Sequence, residues 1–427
     1  MTPSQQSTRN LASPASPARG GLLDSFFRQA VERVFSRVRQ GRLDLVLPDG
    51  SRRTFGDEAS AFRGTIRVND MSFFRHVALG ADIGFGEAYV AQTWDTDDLT
   101  AVLSVLGRNQ DDLNERGILM SWLLQRMNRI QHVFRANTVS KSRHNISYHY
   151  DLSNPFYELM LDPTMSYSCA LFRSDADSLE QGQRQKIARM IEKADVRAEH
   201  HVLEIGSGWG ALAIELAKST GCRVTTISLS EKQLEIVNKR VAEEGLADRV
   251  FPRLIDYRNV EGQFDRIISV EMLEAVGEEY LGTFFAQCDR LLKPEGVAVI
   301  QVITMPEKRF ATYRHQVDWI QKYIFPGCLV PSVAVLSEKI EKHSSFFIHH
   351  LDNMGIHYAR TLREWRQRVH QHRTEMFALG FDERFLRMWD FYLCYCEAGF
   401  AERILGTHQM VLSRPGNRTL PKYPTYS

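Results

Sequence analysis

Apolar residues follow short, mixed rhythms in the first quarter of the chain. Some recur at the spacing of an amphipathic helix, and others alternate as they do in half-buried strands. The pattern predicts helices at residues 22–39, 72–79 and 86–92, strands at 43–47, 53–55 and 65–68, and a glycine-rich loop at 80–86. This mixture predicts a small N-terminal α+β domain over residues 22–112.

Short apolar runs and amphipathic segments alternate regularly in the second half of the chain. They predict strands at 202–205, 223–229, 250–254, 265–270 and 297–304, helices at 211–217, 231–244 and 280–292, and a turn at 293–296. This alternation predicts an α/β fold with a doubly wound parallel sheet, whose ligands bind at the carboxyl ends of the strands. The remainder, residues 306–413, is expected to be mostly helical.

Three further segments connect or flank these regions. Residues 1–21 are rich in Ser, Pro, Arg and Gly, which predicts a disordered N-terminus. A basic amphipathic pattern at 113–141 predicts a connecting helix that leads into a catalytic domain at 142–413, and 414–427 form a C-terminal tail. The helix predicted at 22–39 has a broad apolar face flanked by arginines. It either lies on an anionic membrane or packs on its own domain.

Composition narrows the classes of function. Charged residues make up 25% of the chain and the net charge is +1, so overall charge does not predict a nucleic-acid partner. Six scattered cysteines fit a reduced, cytoplasmic protein. Neither they nor the histidines at 349, 350, 370 and 372 have metal-ligand spacing, so we expect no metal. We find no run of eighteen apolar residues and no signal-peptide core, and therefore expect a soluble protein.

A glycine-rich turn lies between the first predicted strand of the sheet and the helix that follows. Its glycines allow a sharp turn and a close approach of a ligand to the backbone, while the helix start offers free N–H groups. The spacing is not the G-x-G-x-x-G of dinucleotide sites. It resembles instead the first motif of class I S-adenosylmethionine methyltransferases, although a simple tight turn is the alternative. The motif residues are Glu204, Gly206, Ser207, Gly208, Trp209 and Gly210.

Several other sequence islands occur in a fixed order around this turn. They lie at 149–153, 165–170, 256–258, 264–267, 291–296, 323–327 and 357–362. In this order they resemble the cyclopropane fatty acid synthase and mycolic acid methyltransferase family over residues 142–413. The preceding domain resembles the N-terminal domain of the longer, phospholipid-modifying members. The resemblance implies a class I S-adenosylmethionine-dependent methyltransferase fold, Rossmann-like, with a small N-terminal α+β domain.

The resemblance also implies the reaction and the cofactor site. Members of the family add a one-carbon unit from S-adenosylmethionine to the cis double bond of a membrane lipid's acyl chain. Glu204 is expected to balance the ammonium group of the cofactor, Asp256 to accept from the adenine amino group, and Tyr257 to cover the ring. Ser228 stands where an acid often contacts the ribose. Besides the glycine motif, the implied cofactor-binding residues are Tyr167, Ser168, Ser228, Gln233, Asp256, Tyr257 and Arg258.

Two departures from the family pattern concern the catalytic base. The family holds a bicarbonate with a cysteine, a glutamate, a histidine and a tyrosine, and these positions here are Cys169, Glu274, Gln301 and Tyr358. The histidine is therefore absent. Familiar ring-forming members carry glycine where this chain has Glu271. We hypothesise that the Glu271 carboxylate replaces bicarbonate as a built-in base, oriented by Glu274 and Gln301. The alternative is that Glu271 points to solvent and bicarbonate still binds.

Methyl transfer to an alkene creates a carbocation, which aromatic faces stabilise. Tyr358, Phe325 and Tyr323 are the expected aromatic residues. Cys396 matches a cysteine sometimes assigned to the active site of the family, and its alternative interpretation is a buried helical cysteine. Cys169 is not expected to act as a covalent nucleophile, because the reaction needs no acyl-enzyme.

The leading prediction is therefore a cyclopropane-forming enzyme that acts on unsaturated phospholipid at the inner face of the membrane. A methyl- or methylene-branched product is the alternative, with a reductase as partner for the methylene form. Nucleic-acid methylation is a weaker prediction, supported only by the partial motif at 154–157 without a basic stripe. A non-enzymatic lipid-binding protein is a third reading. The N-terminal domain is predicted either to contact lipid or to form a homodimer.

Overall fold

The structure, a computed structural model, describes residues 22–114 and 154–420. The strands are β1 (Arg42–Val46), β2 (Arg52–Gly56), β3 (Arg63–Val68), β4 (Trp94–Asp95), β5 (His201–Ile205), β6 (Arg223–Ser228), β7 (Val250–Leu254), β8 (Phe264–Val270), β9 (Leu292–Thr304), β10 (Phe347–Asn353) and β11 (Gly406–Ser413). The α-helices are Leu22–Phe35, Ser72–Val90, Leu99–Arg108, Gln110–Asn114, Asn154–Met160, Leu179–Ala194, Ala211–Thr220, Glu231–Glu243, Leu281–Leu291, Glu307–Tyr313, Trp319–Tyr323, Val333–His343, Gly355–Gln371, Arg373–Ala378 and Glu383–Ala401. The predicted N-terminus at 1–21 and nearly all of the connecting helix at 113–141 lie outside these residues.

The N-terminal part forms the predicted mixture of strands and helices. Its four-stranded sheet has the order β2-β1-β3-β4, with β1 antiparallel to β2 and parallel to β3. Leu43, Leu45 and Ile66 alternate toward a core that also buries Phe73 and Phe74. The first helix ends at Phe35 rather than at residue 39.

The loop predicted at 80–86 is wrong, because one helix, Ser72–Val90, runs through it with a kink at Ala81. Ala81 has φ 49° and ψ −128°. Gly84 allows close packing rather than a turn, because a Cβ atom on it would lie 2.0 Å from the carbonyl oxygen of His76. Ile83 and Phe85 are buried on the same stretch, so burial of apolar side chains favours the helix over a loop.

The second sheet has seven strands in the order β10-β11-β9-β8-β5-β6-β7. The strands β5 to β9 are parallel, as predicted, whereas β11 is antiparallel to β9 and β10 to β11. The expectation of a mostly helical stretch at 306–413 missed these two strands. The turn predicted at 293–296 lies within β9, where the pairing with β8 shifts in register.

Helices after β9 bind the N-terminal part to the large sheet. The Tyr89 hydroxyl donates to Asp390 at 3.0 Å, and the same carboxylate accepts from Arg366 at 2.7 Å and His370 at 2.8 Å. Tyr89 also packs against the ring of Phe391. The two parts therefore share a buried interface, while the domain bounds drawn from the sequence stay a prediction. Among the described residues, no helix combines the length and the apolar character needed to cross a bilayer.

Candidate active site

A cavity of about 1830 Å³ opens at the carboxyl ends of β5, β6 and β8. The glycine turn after β5 lines it, and so do aromatic side chains of the C-terminal helices. Phe35 and Phe85 of the N-terminal part line it as well. The cavity therefore combines a glycine-rich turn with apolar side chains, as a site for a nucleotide-like group and a hydrocarbon chain requires.

The glycine turn is shaped for a ligand that touches the backbone. Gly206 has φ 100° and Gly208 has φ 47°, and a Cβ atom on Gly208 would meet no atom within 4 Å. The amide nitrogens of Gly206 and Ser207 donate to the carbonyl of Ile227 on β6, which fixes the turn. The Ser207 hydroxyl is buried without a hydrogen-bond partner. This cradle fits the methionine part of S-adenosylmethionine.

Other predicted cofactor residues line the same end of the cavity. The Ser228 hydroxyl donates to Gln233 at 3.0 Å, so Gln233 is tied to the end of β6 rather than being a plain helix residue. Trp209 donates to Asn154 at 3.1 Å, and the Tyr167 and Tyr392 hydroxyls lie 2.8 Å apart. These contacts hold the side chains in place around this part of the cavity.

Glu204 lies one residue before the end of β5, beside Thr226, which donates to its carboxylate. Burial raises the pKa of Glu204 to about 8, and an ammonium group next to it would favour the carboxylate form. The geometry is thus compatible with the expected contact to the cofactor ammonium group.

Asp256 is paired with an arginine of its own loop. Both of its carboxylate oxygens accept from Arg258, at 2.8 Å and 2.6 Å. Tyr257 lines the cavity, whereas Asp256, Arg258 and Gly210, the last glycine of the turn after β5, are not among its lining residues. The expected contact of Asp256 with the adenine amino group stays a prediction. The Tyr257 hydroxyl is buried without a partner, as a ligand-facing group would be.

Glu271 lies at the end of β8 and accepts three hydrogen bonds. Its Oε1 atom accepts from the Cys169 amide at 3.0 Å and from the Gln301 side chain at 2.8 Å. Its Oε2 atom accepts from the Tyr358 hydroxyl at 2.7 Å. Burial raises the pKa of Glu271, and these three donors act in the opposite direction. Glu271 lines the cavity and is half-buried.

The backbone of Glu271 has φ 50°, in the left-handed region that glycine adopts without strain. A glutamate at this position carries a conformational cost of about 1–2 kcal/mol per residue. Hydrogen bonds from Cys169, Gln301 and Tyr358 nevertheless hold its side chain. Strain of this kind is typical of functional sites.

The remaining predicted catalytic residues are placed differently. Glu274 does not contact Glu271 by a hydrogen bond: its Oε1 atom accepts from the Ile303 amide at 2.5 Å, and its Oε2 atom is buried without a partner. Burial and the neighbouring Glu271 raise the pKa of Glu274 to about 8. Glu274 thus has no hydrogen bond to Glu271 among the described contacts, and its orienting role stays a prediction.

Cys169 contributes its backbone amide to Glu271, and burial raises the pKa of its thiol, which fits the expectation that it is no nucleophile. Cys396 lines the cavity with its thiol pKa also raised by burial, so no thiolate chemistry is supported there. Tyr323 was expected to face the reacting chain. It instead donates to Glu87 of the N-terminal part, outside the cavity lining.

The aromatic wall of the cavity includes residues that sequence reasoning missed. Tyr358 stacks on Phe400 with ring centroids 4.5 Å apart, and Phe325 packs edge-on to Tyr392. Lys186 was also missed: it is buried and donates to the Ser168 hydroxyl at 2.8 Å. Its helix looks like a charged surface helix in sequence, so no signal marked it.

The donors expected to hold bicarbonate do not fit that ion. The Cys169, Gln301 and Tyr358 groups are already bonded to the Glu271 carboxylate. A second anion there would face a buried carboxylate at close range. Among the described residues, no three His, Cys, Asp or Glu side chains gather as metal ligands.

The chain is similar to known proteins over most of its length. The family model described as mycolic acid cyclopropane synthetase matches residues 137–410. The chain is 42% identical to the tuberculostearic acid methyltransferase UfaA1 of Mycobacterium tuberculosis, over 78% of this chain and 79% of that protein. It is 36% identical to the cyclopropane-fatty-acyl-phospholipid synthase of Escherichia coli strain K12, over 82% and 87%.

Two solved structures are similar to this chain in fold and in sequence. The cyclopropane synthase MmaA2 of Mycobacterium tuberculosis has a TM-score of 0.60 at 28% identity, covering 64% of this chain and 98% of its own. The mycolic acid cyclopropane synthase CmaA1, complexed with SAH and CTAB, has a TM-score of 0.59 at 28% identity, covering 64% and 98%.

Proposed function

Because the chain belongs to the mycolic acid cyclopropane synthetase family of S-adenosylmethionine-dependent lipid methyltransferases, we propose that it methylates the cis double bond of an unsaturated phospholipid acyl chain. The observation that carries this proposal is the half-buried Glu271 carboxylate, which lines the same cavity as the glycine cradle. A base and a cofactor site in one apolar cavity are what alkene methylation requires.

The proposed reaction uses the residues in named roles. S-adenosylmethionine supplies a methyl group on a positively charged sulfur. The π electrons of the double bond take that methyl, the bond from sulfur to carbon breaks with its electrons left on sulfur, and a cation forms on the acyl chain. The faces of Tyr358 and Phe325 stabilise that cation. The Glu271 carboxylate then removes a proton, and the freed electron pair quenches the cation.

Which proton is removed decides the product. Loss from the new methyl group with ring closure gives a cyclopropane, the product predicted first from the sequence. Loss that leaves a double bond gives a branched alkene, and a separate reductase would convert a methylene branch into a methyl branch. Two observations favour the branched product as second candidate. Glu271 replaces the glycine expected of ring-forming members, and a relative at 42% identity is named a tuberculostearic acid methyltransferase.

The first helix supports a position at the membrane surface. Leu23 and Phe26 are 72% and 64% exposed, which is unusual for large apolar side chains on a domain surface. Basic residues of the same helix favour contact with anionic headgroups. Pairing with a second subunit is the alternative use of this face, and co-sedimentation with anionic vesicles would separate the two.

Incubation with S-adenosylmethionine carrying a trideuterated methyl group tests the proposal. The substrates are vesicles of phospholipid with cis-unsaturated chains, with saturated phospholipid and RNA as controls. We expect deuterium only in the unsaturated lipid. A product that resists mild hydrogenation is a ring, whereas one that takes up hydrogen is a branched alkene. Label in RNA, or none in the unsaturated lipid, would overturn the proposal.

A further inference from the structure

Glu271 and Gln301 belong to a row of residues that crosses three neighbouring strands. Gln301 on β9 pairs with Val270 on β8, and the Glu271 amide donates to the Gln301 carbonyl at 2.8 Å. On the other side, Gln301 pairs directly with Gln409 on β11. The Gln409 side chain donates to the Gln301 Oε1 atom at 3.0 Å, and both glutamines have no exposed surface.

The Glu271 carboxylate at one end of this row fixes the direction of the hydrogen bonds. A carboxylate only accepts hydrogen bonds, so Gln301 must turn its amide nitrogen toward Glu271. Its oxygen then points the other way and needs a donor, since a buried acceptor without one is costly. The Gln409 amide nitrogen supplies that donor. If Gln301 turned over, its oxygen would face the carboxylate oxygen.

We propose that Gln409 is a positioning residue for the proton-transfer step, which holds the Gln301 amide in the orientation that stabilises the ionised Glu271. This inference rests on the proposed role of Glu271. Gln301 stands at the sequence position where the resemblance implies a histidine, and Gln409 is its partner on the next strand. Among the described residues, the Gln409 Oε1 atom is itself buried without a partner, a cost that packing alone does not explain.

Other groups also act on Glu271, and the test must hold them constant. The titratable or charged side chains facing it are Cys169, Lys186, Glu274, Tyr358 and Tyr392. None of them is bonded to Gln409 by a hydrogen bond among those described. A change at Gln409 therefore reaches Glu271 through Gln301.

The variant Gln409→Met keeps the size of the side chain and removes the donor. We expect the acidic limb of the kcat/KM profile to move to higher pH by about half to one unit, because one hydrogen bond that supports the carboxylate is lost. We expect kcat to fall several-fold, with the KM for the lipid and the affinity for S-adenosylhomocysteine unchanged.

Thr407→Val is the matched control. Thr407 lies on the same face of β11, is fully buried, and has a hydroxyl without a partner. It should change the thermal midpoint at most, and leave the pH profile in place. In a Gln301→Met background, Gln409→Met should have no further effect on the profile, which is a non-additive result.

An unmoved pH limb in Gln409→Met, or equal shifts in Gln409→Met and Thr407→Val, would overturn the inference. So would additive shifts in the double variant. These outcomes differ from failure of the proposed function, in which the wild-type protein would not methylate unsaturated phospholipid at all.

Discussion

Replacing Glu271 with glutamine changes the proposed base with little change in shape. In the wild type, Oε1 accepts from Cys169 and Gln301, and Oε2 accepts from Tyr358. The oxygen of a glutamine side chain accepts from the first two donors, and its nitrogen donates to the Tyr358 hydroxyl, which also accepts. The variant therefore keeps the network and loses the charge and the ability to take a proton.

The expected magnitude follows from that difference. A positioned general base contributes about 10²–10⁴-fold to a rate, so kcat of Glu271→Gln should fall by that factor, equivalent to about 3–5 kcal/mol in the barrier. Stability should stay within about 1 kcal/mol of the wild type, because each polar heavy atom of the network keeps a hydrogen-bond partner and a desolvated charge is removed. Binding of S-adenosylhomocysteine should not change, since the glycine cradle is untouched.

Transfer of labelled methyl to unsaturated phospholipid vesicles measures the rate, and thermal unfolding measures the stability. Glu278→Gln makes the same chemical change outside the cavity lining and should keep wild-type activity. Wild-type turnover in Glu271→Gln would refute the reasoning. A wild-type rate that rises with added bicarbonate would refute it as well, because it would show that a free ion supplies the base.

Three further variants give independent tests. Tyr358→Phe removes a donor to the Glu271 carboxylate, so the pKa of Glu271 should rise further. We expect the rate to fall about tenfold and the acidic limb of the pH profile to move to higher pH. An unmoved limb would argue against that contact. Gly208→Ala places a methyl group in the cradle and should weaken S-adenosylhomocysteine binding about tenfold by calorimetry, whereas Gly262→Ala, also at positive φ, should not. The pKa of Glu274 is about 8 in the folded state, against an ordinary value of 4.5. Between pH 4.5 and pH 8 the folded protein therefore keeps a proton on Glu274 that the unfolded chain has lost. Stability should then fall by at most about 1.4 kcal/mol per pH unit as the pH rises through this window, and Glu274→Gln should flatten that slope in thermal unfolding.

The sequence predicted those parts of the site that lie in local motifs. Gly206 and Gly208 follow a strand and precede a helix, and the structure places them there with positive φ. The contacts of Glu271 with Gln301 and Tyr358 also agree with the hypothesis drawn from the departures in the family pattern, while the chemical role of Glu271 stays a prediction.

Residues brought together by long-range pairing were not predictable. Gln409 meets Gln301 only because β11 returns antiparallel to β9, and the sequence gives no sign of that strand within a stretch rich in helices. The pairing of Asp256 with Arg258 is local, only two residues apart, yet the sequence alone did not indicate it. In the N-terminal part, Gly84 allows close packing within a helix, and the sequence alone does not distinguish such a glycine from one in a loop.

Two stretches of the chain that are distant in sequence contribute to one cavity wall: Phe35 and Phe85 come from the N-terminal part, whereas Glu271 follows a strand of the large sheet. Glu271 and its three donors, Cys169, Gln301 and Tyr358, all lie outside the N-terminal part. A substitution at Phe35 or Phe85 therefore changes the cavity wall without removing a group that holds this carboxylate.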